Sequence, residues 1–286
     1  MAHVRIHRRP DLRSPLLVCA FRGWNDGGEA ASTAAAYLRD RWGAERIGDI
    51  DPEEFFDFQV TRPTVRLEGG VTRRIEWPPN DFFHASLPER DVILFLGIEP
   101  NVRWRTFTDA IVETARDLEV DTAVVLGAFL ADVPHTLPTP VAGSAPDARQ
   151  AAELGISASG YEGPTGIVGV LQDSAARAGF PAYSLWAAVP HYLPGGPNPK
   201  AALALVRKIA TLAGVSVETD TLSRAAGAWE EQVTETIEEN EELQAYVQRL
   251  EAGAGERQGT IDIPTGDALA AELEQFLREQ RGEPDQ

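Results

Sequence analysis

Polar side chains that can do acid–base chemistry or hold a ligand occur in short loops along this sequence. They are acids, amides, aromatic residues, an arginine and two histidines that follow proline: Trp24, Asn25, Asp26, Glu99, Asn101, Arg103, His135, Tyr161, Glu162 and His191. Carboxylates and histidines can act as general acids, general bases or metal ligands. Amides, arginine and aromatic rings can hold a small polar ligand in place. The residue types therefore allow ligand binding or catalysis, but they assign no catalytic residue and no cofactor.

Several of these residues also have a purely structural interpretation. Asn25 or Asp26 can cap the helix that follows, by accepting hydrogen bonds from its free N–H groups. Glu99 and Arg103 are four residues apart and can pair with each other at the start of a helix. The two loop histidines can be hydrogen-bonded to backbone. Both interpretations stay open at this point.

Motifs that would define a reaction are absent from the sequence. There is no Gly-x-Ser-x-Gly segment, which disfavours a serine hydrolase of that type, and no His-Glu-x-x-His segment. Gly27 and Gly28 permit close approach of a phosphate or carboxylate, but they lack the spacing of a dinucleotide or P-loop motif. The single cysteine, Cys19, lies in an apolar run and excludes both a disulfide framework and a multi-cysteine zinc site. We predict no metal site.

The polar loops follow apolar runs that predict buried strands of a parallel sheet. The four runs cover residues 15–21, 91–97, 121–129 and 183–189, and a further strand is predicted at 44–50. Helical patterns cover residues 26–42, 103–118, 165–178 and 199–213, with Thr165 as a helix cap. Strands that alternate with helices pair in parallel and are covered on both faces, so we predict a three-layer α/β/α sandwich. A ligand cleft is then expected beyond the carboxyl ends of the strands, where the polar loops meet.

Residues 64–77 interrupt this alternation. Two segments with strand character flank Gly69-Gly70, which favours a hairpin with a two-residue turn. If Glu68 faces Val71 in that hairpin, apolar side chains lie on both of its faces. We therefore predict that a second subunit covers one face. The alternative is a hairpin with one apolar face and a longer turn.

Composition limits the environment and the partners of the chain. The sequence has no apolar run near the roughly 18 residues that a membrane span requires, and its first fifteen residues lack the apolar stretch of a secretory signal. A net charge of −18 disfavours nucleic acid and anionic membranes as main partners. These features predict a cytoplasmic protein with neither kind of partner.

The acidic charge is concentrated at the carboxyl end. Residues 218–286 carry a net charge of −13, and a narrow apolar stripe runs at helical spacing from Trp229 to Leu250. A glycine-rich break at 253–255 precedes a last helical pattern that contains Leu269 and Phe276. We predict a core at residues 1–214 with the hairpin as an insertion, and an acidic helical appendage at 215–286 that can act as a lid.

Six motifs carry a resemblance to a known family. They are Gly23-Trp24-Asn25-Asp26, Asp57-Phe58-Gln59-Val60-Thr61-Arg62-Pro63, Glu99-Pro100-Asn101-x-Arg103-Trp104, Pro134-His135-Thr136, Tyr161-Glu162-Gly163-Pro164-Thr165-Gly166 and Trp186-Ala187-Ala188-Val189-Pro190-His191-Tyr192. Occurring in this order between about residues 16 and 250, they resemble the bacterial branch of the proteasome assembly chaperone 2 family. Some relatives dock through a terminal hydrophobic-Tyr-x tail, whereas this sequence ends Glu-Pro-Asp-Gln, so we do not expect direct docking of that kind.

The resemblance implies a phosphorylase/hydrolase-like core, oligomers for which a trimer is favoured, and a helical carboxyl-terminal segment over a presumed ligand cleft. It implies no catalytic residues. Two hypotheses follow. The first is an oligomeric binding or assembly protein that has a protein partner. The second is a phosphorylase- or hydrolase-like enzyme that acts on a small molecule in the cleft.

Overall fold

A computed structural model of the chain describes residues 3–69, 72–158, 162–193 and 195–256. The strands are β1 (Val4–Ile6), β2 (Leu16–Arg22), β3 (Glu45–Ile50), β4 (Thr64–Glu68), β5 (Thr72–Glu76), β6 (Asp81–Ser86), β7 (Asp91–Ile98), β8 (Thr122–Ala131), β9 (Val141–Ser144), β10 (Ser157–Ala158) and β11 (Ala182–Pro190). The helices are α1 (Ala30–Arg41), α2 (Trp104–Asp117), α3 (Ala148–Leu154), α4 (Ile167–Arg177), α5 (Pro199–Ala213), α6 (Asp220–Glu238) and α7 (Glu241–Glu256).

One mixed sheet forms the centre of the fold, in the order β1-β3-β6-β7-β2-β8-β11-β9-β10. Its four middle strands, β7, β2, β8 and β11, are parallel. Side chains of β2 alternate between two cores: Leu16 and Val18 pack with α1 and α5, whereas Leu17 and Phe21 pack with α2 and α4. Each fully buried side chain of this kind contributes roughly 1.5–3 kcal/mol. The predicted three-layer α/β/α sandwich is confirmed.

The edges of the sheet differ from the prediction. The strand expected at 44–50 is present as β3, but it pairs antiparallel with β1 and β6, and β6 pairs antiparallel with β7. On the other edge β9 is antiparallel to β11. Five elements were not predicted from the sequence: β1, β6, β9, β10 and α3. These elements are short and lie toward the edges, so they lack the continuous apolar runs that mark the middle strands.

The hairpin of β4 and β5 has a longer turn than predicted. Glu68 pairs with Thr72, so the residues between the strands number three, and the predicted pairing of Glu68 with Val71 is wrong. A shift of one residue moves every side chain of a strand to its other face. The alternative, one apolar face and a longer turn, is confirmed, since Val65 lies opposite Ile75.

The two last described helices pack on α5 and on the loop after β11. Val233, Ile237 and Val247 form a small cluster with Tyr192 and Leu193. The break predicted at 253–255 is wrong, because α7 continues to Glu256. A helix tolerates single glycines at roughly 1 kcal/mol each relative to alanine. The last predicted helix, with Leu269 and Phe276, lies outside the described residues. Within the described ranges, no helix is long and apolar enough to cross a membrane.

Candidate functional site

A buried amide–carboxylate contact joins the ends of two neighbouring strands. After β2 the chain turns back on β8, where Ala128 N donates to Asn25 O over 2.8 Å. The Asn25 side chain is only 1% exposed, and its Nδ2 group donates over 2.7 Å to Oε1 of Glu99, which directly follows β7. The structure therefore brings these two predicted residues together.

Glu99 also caps the first turn of α4. Its Oε1 accepts the Ile167 N–H over 2.9 Å, whereas Gly166 at the N-cap position has no side chain that could do so. The prediction of Thr165 as the cap is wrong, because a carboxylate far away in sequence takes that role. Burial raises the pKa of Glu99, and this outweighs the lowering by hydrogen bonds to its carboxylate. The carboxyl group therefore holds a proton more readily than an exposed glutamate does.

Asp26 caps α1. Its Oδ1 accepts from Ala31 N over 2.7 Å and from Ser32 N over 3.2 Å, which confirms the capping interpretation. Burial raises the pKa of Asp26 to about 6. Its Oδ2 is buried without a hydrogen-bond partner among the described residues, and the same is true of the adjacent Asn25 Oδ1. Buried oxygens of this kind are uncommon, so this loop offers two acceptors to a donor that the described residues do not supply.

Replacing Asp26 by Asn should change how stability depends on pH. Asn keeps an acceptor for the α1 N–H groups and removes the charge. Because folding raises the pKa of Asp26, the wild-type protein loses stability as pH rises from about 4, the unfolded value, to about 6. The stability of Asp26→Asn relative to wild type should thus increase by about 2 kcal/mol between pH 4 and pH 7. Urea unfolding at a series of pH values measures this, and a pH-independent difference would contradict it.

The second group of polar residues lies between β8, β11 and α6. Thr234 donates its hydroxyl hydrogen to Glu230 O over 2.8 Å, so its oxygen accepts from His135 Nε2 over 3.1 Å. Tyr192 OH accepts from His135 N and donates to His135 Nδ1, at 2.8 and 2.9 Å. These bonds fix a neutral histidine with its hydrogen on Nε2. Accordingly, burial and the nearby Lys200 ammonium lower the pKa of His135.

His191 belongs to the same region but is 43% exposed at its side chain. Its Nδ1 lies 3.0 Å from Asp132 Oδ1, which also accepts from Tyr246 OH over 3.1 Å. The rings of His191, Tyr192 and Tyr246 meet edge to face, with centroids 5.6 to 5.9 Å apart. Tyr246 lies on α7, so this contact ties the helix to the loop after β11.

Two candidates from the loop after β7 have structural roles. Asn101 Oδ1 accepts from Asp57 N over 2.9 Å and from Thr61 Oγ1 over 3.2 Å, which holds two loops together. Arg103 pairs with Glu54 and not with Glu99, so the predicted pairing within this loop is wrong. Glu99 is turned inward, because its carboxylate accepts from Asn25 Nδ2 and Ile167 N, and it therefore does not reach Arg103.

The structure assigns no role in either group to the side chains of the remaining candidates. Trp24 is partly buried, and its backbone N–H donates to the Glu99 carboxylate. Glu162 is exposed, and Tyr161 lies outside the described residues. Gly28 has φ +57°, and a Cβ there would lie 2.9 Å from Asn198 Cβ, so its packing against the chain explains this glycine. No group of three His, Cys, Asp or Glu suited to a metal occurs in the described part of the chain.

The candidates therefore form two hydrogen-bonded groups. Asn25, Asp26 and Glu99 lie at the ends of β2 and β7, whereas His135 and His191 follow β8 and β11. No hydrogen bond or ion pair between described residues joins the two groups directly. Sequence reasoning missed Asn198, Lys200, Glu230 and Thr234 in the second group. An Asn-Pro helix start could have indicated Asn198, but the acidic helix carries no signal that marks Glu230 or Thr234.

Comparisons with known proteins agree with this architecture. The model of the PAC2 family matches residues 20–237. A crystallised proteasome-assembly chaperone homologue of Mycobacterium tuberculosis is 49% identical, with 81% of this chain and 99% of that chain covered at a TM-score of 0.75. A PAC2 family protein of Streptomyces avermitilis is 45% identical, with 82% and 99% covered at a TM-score of 0.75.

A more distant structure shares the fold alone. PbaB of Pyrococcus furiosus, an archaeal proteasome activator, is 16% identical, with 82% of this chain and 99% of that chain covered at a TM-score of 0.65. Comparison with proteins of curated function finds no match.

Proposed function

The chain belongs to the PAC2 family, and we propose that it is a cytoplasmic, oligomeric binding protein whose subunits meet through the β4–β5 hairpin as a trimer. The observation that carries this proposal is the uncovered apolar face of the hairpin. Val65, Leu67, Ile75 and Trp77 lie on that face and are 49–62% exposed. Large apolar side chains that are exposed together mark interaction surfaces in soluble proteins.

The opposite face of the hairpin is suited to water. It carries two ion pairs, Arg66–Glu76 with 2.6 Å between charged atoms and Arg74–Glu68 with 3.2 Å. An isolated two-stranded hairpin is at best marginally stable in water. Within one chain, its base is held by the contact between the Trp77 and Phe58 rings, whose centroids are 4.9 Å apart. A second subunit on the apolar face would supply the core that the hairpin lacks.

Charge also favours self-association at this segment. Residues 62–77 contain four arginines and two glutamates, in a chain of net charge −18. Copies of such a chain repel one another, and a locally basic surface reduces that repulsion where the copies meet. A head-to-tail contact that closes on itself forms a ring, and the family resemblance favours three members.

A glutamate on the apolar face of the hairpin should dissociate the oligomer. Leu67→Glu or Ile75→Glu removes apolar burial and places a charge in the contact, which should weaken association at least roughly a hundredfold. Thr64→Glu and Thr72→Glu make the same change in charge on the opposite face and serve as matched controls. Light scattering at micromolar concentration should give a trimer mass for wild type and controls and a monomer mass for the first two variants. A monomeric wild type would overturn the proposal.

We propose a protein partner as well. The Mycobacterium tuberculosis relative is described as a proteasome-assembly chaperone homologue, which supports a role in protein assembly for this chain. The full-length protein should enrich a defined partner from extract of its own cells, and repeated failure to find one would count against this role.

A small-molecule role is a second candidate, favoured by the unpartnered Asn25 Oδ1 and Asp26 Oδ2 beside Glu99. In this interpretation the loop after β2 holds a ligand that donates hydrogen bonds, and the enzyme is phosphorylase- or hydrolase-like. A ligand found by a broad metabolite screen should raise the melting temperature of wild type but not of Asn25→Ala. A screen without any melting shift would count against this second function.

A further inference from the structure

Two loops beside the base of the hairpin carry further exposed apolar side chains. Among the described residues, seven large apolar side chains are exposed, and four of them lie on the apolar face of the hairpin. Of the other three, Val60 and Val102 are 41% and 47% exposed and lie in the loops before β4 and after β7. The third, Leu137, lies after β8, where the adjacent Thr136 bonds to Glu251 of α7.

Hydrogen bonds join the loops of Val60 and Val102 to each other and to the core. Asn101 Oδ1 accepts from Asp57 N over 2.9 Å, and Val60 N donates to Asp57 O over 2.9 Å. Val102 N donates over 3.2 Å to the backbone oxygen of Phe55, which is fully buried. Asp57, Val60 and Val102 are together called the Val102 surface below. Because its backbone is already fixed, this surface can receive another element without a large loss of conformational entropy.

The charges of the Val102 surface and of the hairpin are complementary. Arg73 lies opposite Leu67 in the hairpin and therefore shares its apolar face. Unlike the two arginines of the opposite face, Arg73 forms no ion pair with a described residue. On the Val102 surface, the exposed Asp57 accepts from Gln59 N over 2.8 Å and pairs with no described cation. Each surface thus carries a charge of the sign that the other lacks.

A ring of three identical chains requires two different contact surfaces on each chain, because rotation brings one patch of a subunit against another patch of its neighbour. The apolar face of the hairpin supplies the first patch. The Val102 surface is suited to be the second, since it is exposed, apolar, fixed by the core and opposite in charge.

We propose that the apolar face of the hairpin packs on the Val102 surface of the next subunit, with Arg73 against Asp57. This contact rests on the proposed trimer and gives it a direction. Each subunit donates one hairpin and receives one, so three equal contacts close the ring. The apolar side chains of the hairpin are then buried against Val60 and Val102, and the ion pair at the edge fixes the register.

A glutamate on the Val102 surface tests this contact. Val102→Glu should weaken association at least roughly a hundredfold and give a monomer mass by light scattering at micromolar concentration, because the contact would bury a charge. Leu137→Glu makes the same kind of change at an exposed apolar residue outside both surfaces and should remain a trimer. Circular dichroism verifies the fold of each variant, and Val60→Glu replaces Val102→Glu if the latter does not fold.

The outcomes separate this contact from the trimer itself. If Val102→Glu remains a trimer while Leu67→Glu dissociates, the hairpin binds elsewhere, and the contact proposed here is wrong although the trimer stands. Dissociation of Leu137→Glu would also contradict the contact. A monomeric wild type would instead overturn the trimer.

Mixing two of these variants tests the direction of the contact. Leu67→Glu retains the Val102 surface, and Val102→Glu retains the hairpin, so one unaltered contact can form between the two chains. A fluorescently labelled Leu67→Glu chain should therefore bind Val102→Glu at least roughly tenfold more tightly than it binds unlabelled Leu67→Glu. Equal affinities would overturn the contact.

An exchange of charges tests the pairing of Arg73 with Asp57. Arg73→Glu should weaken the trimer roughly tenfold, because it places like charges against each other. Asp57→Lys in the same chain should restore at least half of that loss on a logarithmic scale. As the control, Asp57→Lys should restore nothing to Arg74→Glu, which reverses a charge on the opposite face. Light scattering over a series of concentrations gives the affinities, and restoration of neither variant, or of both equally, would overturn the pairing.

Discussion

Gly166→Ala is expected to lower the free energy of unfolding by about 3 kcal/mol, because the position has no room for a methyl group. A Cβ at residue 166 would lie 2.7 Å from Asn25 Cγ and closer still to both terminal atoms of that amide. Asn25 is buried on every side and cannot retreat without losing its hydrogen bond to Glu99. Alternatively α4 must move away, which breaks the bond between Glu99 and Ile167 N. Urea unfolding at pH 7.5 measures the loss.

The control for this substitution is Gly195→Ala. No heavy atom lies within 4 Å of a Cβ at residue 195, and its backbone is not in the left-handed region, so we expect a change below about 0.5 kcal/mol. Combining Gly166→Ala with Asn25→Ala should restore part of the loss, because the smaller side chain makes room for the methyl group. If Gly166→Ala unfolds at the same urea concentration as wild type, the close contact with Asn25 is not a constraint on the fold.

The parts of the fold that were predicted from sequence are those with strong local signals. The helix predicted at 199–213 has the same bounds in the structure, because Asn198 and Pro199 mark its start and Gly214 follows its end. The middle strands were predicted to within two residues, since strands buried on both faces are apolar throughout. The cap of α1 by Asp26 is also local, because Asp26 accepts from the backbone N–H groups five and six residues further along the chain.

The candidate site was predicted only in its location, because its contacts are not local. Glu99 meets Asn25 and Ile167, 74 and 68 residues away in sequence, and no spacing rule relates them. Two predictions from local spacing were therefore wrong, the ion pair of Glu99 with Arg103 and the helix cap by Thr165. In both cases Glu99 bonds to residues that are distant in sequence. The division of the candidates into two groups also depends on contacts between residues distant in sequence, such as that of His135 with Thr234 on α6. The register of the hairpin depended on a single turn residue, and Gly69-Gly70 was consistent with both lengths.

Among the candidate residues, Glu99 is expected to contribute most to the free energy of unfolding. Glu99→Ala removes the acceptor of the Trp24 backbone N–H and leaves two buried donors, Asn25 Nδ2 and Ile167 N, without theirs. Each unsatisfied buried donor is unfavourable by about 1–3 kcal/mol, so we expect a total loss of about 4 kcal/mol. Glu99→Gln keeps an oxygen that can accept from both donors, so we expect a loss of about 1 kcal/mol. Urea unfolding at pH 7.5 gives both values.

Hydrogen exchange at the amide of Ile167 separates this explanation from a general loss of stability. In Glu99→Ala this amide should exchange much faster than amides in the middle of α4, whereas in Glu99→Gln it should stay protected. Equal losses for the two variants would mean that the charge of Glu99, and not its acceptor oxygen, stabilises the junction. The pKa argues for the oxygen, because burial raises the pKa of Glu99 and so disfavours the charged form. A neutral acceptor should then serve the fold nearly as well, so the small loss expected for Glu99→Gln follows from the amide oxygen that replaces the carboxylate oxygen.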